Sequence, residues 1–400
     1  MPYQKFKADN IFTGTEMLNG DAVLITDENG NVEAIVDTKD AGDGVQTFKG
    51  ILTPGFINCH CHLELSLMKG LIPGGTGLVD FLLQVLQLRG AKEEDIFNAM
   101  QNAEQEMYKG GIAAVGDIGN TAHSLVIKQK SKLHWYNFVE VLGFTEERAE
   151  EVIQPFEEVY NQFIQQTQTS NFRLQTSLVP HAPYTISNKM FRLINEASAG
   201  KVISVHNQEC TAEDELYKTK SGDFFRLYDF LKIETTFFQP SGKSSLQSYL
   251  PLLNKAANIL LIHNTFTQQE DIDFVNYQLS IVNHKIFFCV CANANLYIEN
   301  RMPPVDMLRK NNCNIVLGTD SYSSNWSLNI LDEMRTIQNK TAFTIPTAEL
   351  LQWATLNGAK ALQIDDMLGS FEKGKQPGVI LIANVENGNI NDDTIVHRLK

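Results

Sequence analysis

Between about residue 52 and residue 320 the chain alternates in character. Short runs of β-branched, aromatic and aliphatic residues are followed by longer stretches whose apolar positions recur at helical spacing. Eight runs predict strands: "GILTPGFINCH", "IAAVGDIG", "WYNFVEVLGF", "FRLQTSLVPHAP", "KVISVHNQE", "NILLIHNTF", "KIFFCVCANAN" and "NIVLGTDS". Residues 95–109, 146–168, 187–198, 267–277 and 327–339 predict helices. Repeated strand–helix units imply a parallel sheet. Eight of them in roughly 270 residues match the count and size of a (β/α)8 barrel. An open doubly wound sheet is the competitor, but no G-x-G-x-x-G follows the first strand. The "PGGTG" at 73–77 reads as a turn, because a phosphate cradle would continue into Lys-Ser or Lys-Thr.

The two ends follow another pattern. "DAVLITDENGNVEAIVD" places alternating apolar runs around Asn-Gly, a hairpin signal. Residues 378–400 again read as strands separated by turns. Neither end can build a core alone, so the two are expected to meet. The predicted fold is α/β: a (β/α)8 TIM barrel over residues 52–367, with a small β-sandwich made from 1–51 together with 368–400. The aromatic segment 221–243 is either a short helix over the barrel mouth or a substrate lid.

Composition narrows the partners. Of 400 residues 43% are hydrophobic, enough for a large core. The 33 basic against 47 acidic residues leave a net charge of −14, which disfavours nucleic acid or an acidic membrane surface. A small-molecule substrate is the better expectation. No basic segment followed by an apolar one opens the chain, and no apolar run reaches about 18 residues. A cytoplasmic protein is therefore expected. Six cysteines without a C-x-x-C pair, mostly inside strand-like runs, read as buried reduced thiols.

Catalytic side chains of such barrels stand at the C-terminal ends of the strands. Here those positions hold His60 and His62 after the first run, His181 after the fourth, His206 on the fifth, His263 on the sixth and Asp320 after the eighth. Alternate residues of a strand share a face, so His60 and His62 point together. Taken singly, each histidine could be a satisfied core or loop residue. Taken jointly, they crowd the one rim where chemistry is done. His60, His62, His206 and Asp320 offer the imidazole-plus-carboxylate set of a catalytic Zn²⁺ site, with Fe²⁺ as the alternative that the same donors suit.

The motifs "PGFINCHCHLELS", "VHNQE", "LIHNTF" and "LGTDSYSSN", with the late "TLNGAKAL" and "GSFEKGK", resemble those of the amidohydrolase superfamily. More narrowly they are similar to its mononuclear deaminase branch, which includes the cytosine, S-adenosylhomocysteine and aminofutalosine deaminases. The binuclear members place a bridging lysine after the fourth strand, where this chain has "LVPHAPYT", so the resemblance implies one divalent metal ion. It implies that Glu209, in H-x-x-E after His206, carries a proton from a metal-activated water to a ring nitrogen. It implies that His263 orients that water and that Asp320 can accept a proton. Ammonia then leaves an amidine carbon of an aminopurine-type nucleoside or base. His181 is implied as a substrate contact, with Glu64, Tyr297 and Arg301 as further candidates. The strand-seven loop departs from the branch's pattern at Ala292 and Ala294. Hydrolysis of a ring amide or C–Cl bond on the same site, or a metal-binding barrel without activity, are the competing readings. Related barrels commonly pair, so a homodimer is expected.

Overall fold

The structure is a computed structural model of the chain and describes residues 3–88, 90–169, 174–281 and 284–400. Eight strands form its centre: β1 (Phe56–Cys61), β2 (Ile112–Gly119), β3 (His134–Val141), β4 (Leu174–Pro180), β5 (Val202–Asn207), β6 (Asn258–His263), β7 (Lys285–Val290) and β8 (Asn314–Leu317). Consecutive strands pair in parallel, β1 through β4 and β5 through β8. Nearly every residue on them is buried, as expected of strands covered on both faces.

Two seams join the half-sheets. Between β4 and β5, the Ser177 hydroxyl donates to the Val202 carbonyl at 2.7 Å and the His206 N–H to the His181 carbonyl at 2.9 Å. Between β8 and β1, the N–H groups of Thr319 and Asp320 both donate to the His60 carbonyl at 3.0 Å. Cys61 and Asp320 form a parallel bridge at this seam. The result is the (β/α)8 arrangement that the strand pattern predicts. The start of the fourth predicted strand, at residues 172–173, lies outside the described residues.

The helices follow the predicted order with one interruption. The stretch 146–168 divides into Ala149–Val152 and Gln154–Thr169, with Pro155 in the first turn of the second piece, where a missing N–H costs no hydrogen bond. Several helices are additions to the sequence reading, among them Leu78–Leu88 and Thr211–Thr219. The first, "LVDFLLQVLQL", carries its polar residues Asp80, Gln84 and Gln87 on one face. The segment 221–243 contains a helix, Phe224–Leu231. Its Phe224 ring stacks on Tyr184 with centroids 4.0 Å apart, and Tyr228 stacks on Phe144.

The terminal strands build two facing sheets. One orders Val32–Asp37, Ala22–Thr26, Gln4–Lys7 and Val45–Thr47. The other orders Ile395–Arg398, Ile380–Ala383, Ile51–Thr53, Asn10–Phe12 and Met17–Asn19, so residues from both ends share it. Phe6, Ile11, Leu24, Leu52 and Leu381 form a separate core there.

Gly318, just past β8, makes the β8–β1 seam possible. A Cβ at this position would lie 2.8 Å from the His60 Cβ, 2.9 Å from the Cys289 Sγ and 3.0 Å from the Cys291 Sγ. Gly318→Ala is expected to destabilise the protein by about 1–3 kcal/mol through overpacking, read as a lowered denaturant midpoint. An unchanged midpoint would show that the seam has slack.

Candidate active site

The strand ends deliver their polar side chains to one cavity of about 330 Å³, whose walls include His62, Glu64, His181, His206, Glu209, His263 and Asp320. The floor is a cluster of imidazoles. His60 Nε2 and His62 Nε2 each lie 3.5 Å from Asp320 Oδ1, and His62 Nε2 lies 3.2 Å from His206 Nε2. One ligand atom from each of His60, His62 and Asp320 falls within 4.8 Å of the others, and the same holds for His60, His206 and His263.

Backbone partners settle which ring nitrogen faces inward. His206 Nδ1 sits 2.7 Å from the His181 carbonyl, which can only accept, so Nδ1 carries the proton and Nε2 turns a lone pair to the cluster. His60 is fully buried, and neither of its ring nitrogens has a hydrogen-bond partner among the described residues. A buried imidazole left this way is costly unless a further group completes it. Three converging imidazoles and one carboxylate fit a single divalent cation, and His60 is the residue that most needs one.

Glu209 Oε1 stands 3.5 Å from His263 Nε2, and His263 Nδ1 lies 3.3 Å from Asn295 Oδ1. Burial, with help from Asp320 and Glu213, pushes the Glu209 carboxyl well above the usual carboxylate range. Burial depresses the His263 imidazole to about 4 and holds His62 and His206 well below their ordinary value. For Asp320 burial acts upward but is outweighed by the adjoining His60, His62 and His263, and the carboxyl ends well below its usual range. The floor therefore pairs neutral imidazoles with one firmly ionised carboxylate.

The remaining candidates separate. His181 lines the cavity, and its Nδ1 lies 2.8 Å from Thr185 Oγ1. Glu64 also lines it, but its carboxylate accepts from the N–H groups of Asn120 and Thr121 and from the Thr121 hydroxyl at 2.6 Å, so it also holds the loop after β2. Tyr297 and Arg301 stand outside this cavity. The Tyr297 hydroxyl donates to the Ile72 carbonyl and its ring meets Trp326, while Arg301 is exposed, its guanidinium 4.5 Å over Phe266. Two site residues escaped the sequence reading. Glu140, buried on β3, places Oε1 3.7 Å from His206 Nδ1 and 3.9 Å from His181 Nε2; its signal was an acid inside an apolar strand. The Ser324 hydroxyl donates to Asp320 Oδ2 at 2.6 Å, which no spacing announced.

Beyond the floor the cavity changes character. Leu65, Met68, Phe81, Val85 and Ile96 line an apolar arm, much of it supplied by the helix Leu78–Leu88.

Fold and site together define a hydrolase of the metal-assisted barrel type. The amidohydrolase family model matches residues 51–397, and the chain belongs to the amidohydrolase family. An adenosine deaminase of Helicobacter pylori is 27% identical over 332 residues, covering 82% of this chain and 77% of that protein. An aminodeoxyfutalosine deaminase of a Nitratiruptor species is 27% identical over 360 residues, covering 87% and 82%. The crystal structure of the Helicobacter pylori aminofutalosine deaminase in complex with methylthio-coformycin superposes with a TM-score of 0.80 at 26% identity, covering 96% of this chain and 93% of that one. No helix among the described residues is long and apolar enough to cross a membrane.

Two outcomes follow from this geometry. Protein purified without chelator is expected to carry about one equivalent of divalent metal by elemental analysis, and Asp320→Ala or His206→Ala far less, with helical content unchanged. The second concerns Glu333, fully buried and pushed up to about 8 by burial, which accepts from the Asn293 N–H and from the Asn325 side chain and so braces the loop bearing Asp320. A carboxyl raised in the folded state stabilises fully below its unfolded value, and that contribution is lost as pH rises toward the folded one. Relative to Glu333→Gln, the wild type should lose stability between pH 4.5 and about 8, at up to ~1.4 kcal/mol per pH unit, in denaturant titrations. Parallel curves would remove the assignment.

Proposed function

We propose that this chain is a metal-dependent hydrolytic deaminase that replaces the exocyclic amino group of a 6-aminopurine nucleoside-type compound with oxygen and releases ammonia. The observation that carries the reading is the facing pair Glu209–His263, 3.5 Å apart in one cavity, with His60, His62, His206 and Asp320 converging at its floor. His60, His62, His206 and Asp320 would hold one divalent cation, Zn²⁺ in first place and Fe²⁺ as the alternative. Such a cation, when bound, brings a water molecule's pKa down toward about 7.

Every other role falls to side chains of this chain. Glu209, whose carboxyl burial drives up, takes a proton from the attacking water and passes it to a ring nitrogen, lowering the barrier to addition at the amidine carbon. His263, kept neutral at physiological pH by burial, directs the water through Nε2 while Asn295 lies against Nδ1. Asp320 accepts the second water proton and returns it to the departing nitrogen, so the amino group leaves as ammonia and a carbonyl remains. His181 contacts the heterocycle from the wall. The apolar arm receives the part of the substrate beyond the base. A cavity of about 330 Å³ suits a nucleoside-sized molecule.

The relatives named for adenosine and aminodeoxyfutalosine support this substrate class over free bases. The test is ammonia release by zinc- and iron-loaded protein from adenosine, 5′-methylthioadenosine, S-adenosylhomocysteine and aminofutalosine, with guanine and cytosine as comparisons. Glu209→Gln is expected to lower turnover of the best substrate by about 10²–10⁴-fold with bound metal unchanged. Full turnover in that variant would refute the proton-transfer role, and acid or chloride release without ammonia would refute the deaminase reading.

A further inference from the structure

We infer that Glu213 is a positioning residue for catalysis: its buried carboxyl group clamps the backbone turn that aims Glu209 into the cavity. The inference rests on the proton-transfer role proposed for Glu209.

Glu213 lies in the first turn of the helix Thr211–Thr219, four residues past Glu209, and is completely buried. Its carboxyl group turns back over the start of that helix. Oε1 accepts from the Gln208 N–H at 2.9 Å and from the Ser245 hydroxyl, and Oε2 lies 3.4 Å from the Glu209 N–H. Carboxyl oxygens at a helix N-terminus suit the free N–H groups there. Here, however, the acceptors reach past the helix start to the two residues that set the direction of the Glu209 side chain.

That turn requires a restraint. Gln208 adopts φ +46°, in the left-handed region that costs a non-glycine residue about 1 kcal/mol or more. A second set of hydrogen bonds holds the Gln208 side chain: Nε2 donates to Asp271 Oδ2 at 2.8 Å, and Oε1 accepts from the Thr267 hydroxyl at 2.7 Å. The Gln208 carbonyl accepts from the Phe266 N–H at 2.9 Å. The residue before Glu209 is thus tied to the loop after β6, the strand that ends at His263. Glu213 supplies a second fixation, through Ser245 at the start of the helix Ser245–Tyr249. Between these two anchors the Glu209 side chain stays within 3.5 Å of His263. Proton transfer is steep in distance, and a shift of about 1 Å at a reacting group can lower a rate 10²-fold.

Glu213 neither lines the cavity nor stands among the groups that converge on the cation. Its effect should therefore appear in kcat through Glu209, with KM and bound metal little changed.

The experiment is a double-mutant cycle on metal-loaded full-length protein, with 5′-methylthioadenosine or adenosine as substrate, whichever releases ammonia faster. Glu213→Ala is expected to lower kcat by about 10–100-fold while KM moves less than about 3-fold. In the Glu209→Gln background the same change should cost less than about 2-fold, because a clamp has nothing left to aim. Glu213→Gln keeps an acceptor for Gln208 but turns an NH₂ toward the Glu209 N–H, so its loss should be intermediate. Equal losses in both backgrounds would overturn the inference and leave Glu213 a structural residue, as would an unchanged kcat in Glu213→Ala. Should Glu213→Ala fail to fold, the cycle is run with Glu213→Gln and with Ser245→Ala, read against the same criterion. Full turnover in Glu209→Gln alone would remove the reading of Glu209 and this inference with it, whereas a crippled Glu209→Gln with additive losses would remove only the clamp.

Discussion

The carbonyl of His60 accepts two main-chain hydrogen bonds, from Thr319 and Asp320, and the site depends on them. These bonds close the strand cylinder between its last and first members. They bring a carboxylate some 260 residues away in sequence against the paired imidazoles of His60 and His62. Nothing wider than a hydrogen atom at Gly318 would let the two strands approach so closely, because the His60 Cβ and two cysteine sulfurs already occupy the space. Closure and ligand geometry are therefore one constraint. A sheet left open at this seam would keep its core but lose the alignment of the donors.

The cost of that alignment is visible in the backbone. Gln208, His263, Asn264 and Asp320 all have positive φ, between 46° and 73°, although none is glycine. All four lie at or just beyond strand ends, where the chain turns inward to face the cavity. Strain of this kind persists only where its surroundings over-determine it. Buried polar contacts do so here. Ser324 holds Asp320 Oδ2, Asn264 Nδ2 donates to the carbonyls of Leu261 and Cys289, and Tyr249 supports Asn207. On the β2 side, the buried Lys128–Asp117 pair, 2.6 Å apart, presents Asp117 Oδ1 to the N–H of Leu63, the residue after His62. The ends of β1, β5, β6 and β8 each have a polar brace behind them.

Much of this was legible in the residue order, for a physical reason. A histidine or aspartate ending an apolar strand pays a desolvation cost that demands an explanation, and His60, His62, His206, His263 and Asp320 all stand out on that ground. The barrel was legible because β-branched runs and helical periods alternate eight times. Side chains whose work is done by hydrogen bonds across the fold left no such trace. Glu140 is a single acid in "WYNFVEV", Ser324 is one serine among several, and Glu213 looks like any acid in a first helical turn. Tyr297 and Arg301 show the converse. The family resemblance offered them as substrate contacts, whereas the "PGGTG" loop docks at Tyr297, its Gly75 N–H donating to the Tyr297 carbonyl at 2.6 Å, and neither residue lines the cavity. Spacing along a loop says little about direction once another loop competes for the same backbone groups.

The charge balance of the cavity floor leads to a cation without reference to any relative. Burial keeps His62, His206 and His263 neutral, while Asp320 remains ionised against that same burial. Among the described residues none of the cavity walls is a lysine or arginine. An ionised carboxylate this far from water costs several kcal/mol even with the Ser324 hydroxyl donating to it, and the unpartnered nitrogens of His60 add to that cost. One divalent ion removes both penalties at once, because the four donors need only one positive centre among them. It also bears on Glu209. The carboxyl that burial drives upward would fall again beside a positive charge, while a nearby water would become more acidic. For the proton-transfer role proposed for Glu209, donor and acceptor then approach each other in proton affinity, the condition under which a proton moves in both directions at low cost. The burial that calls for a cation at the floor thus also tunes the groups around it.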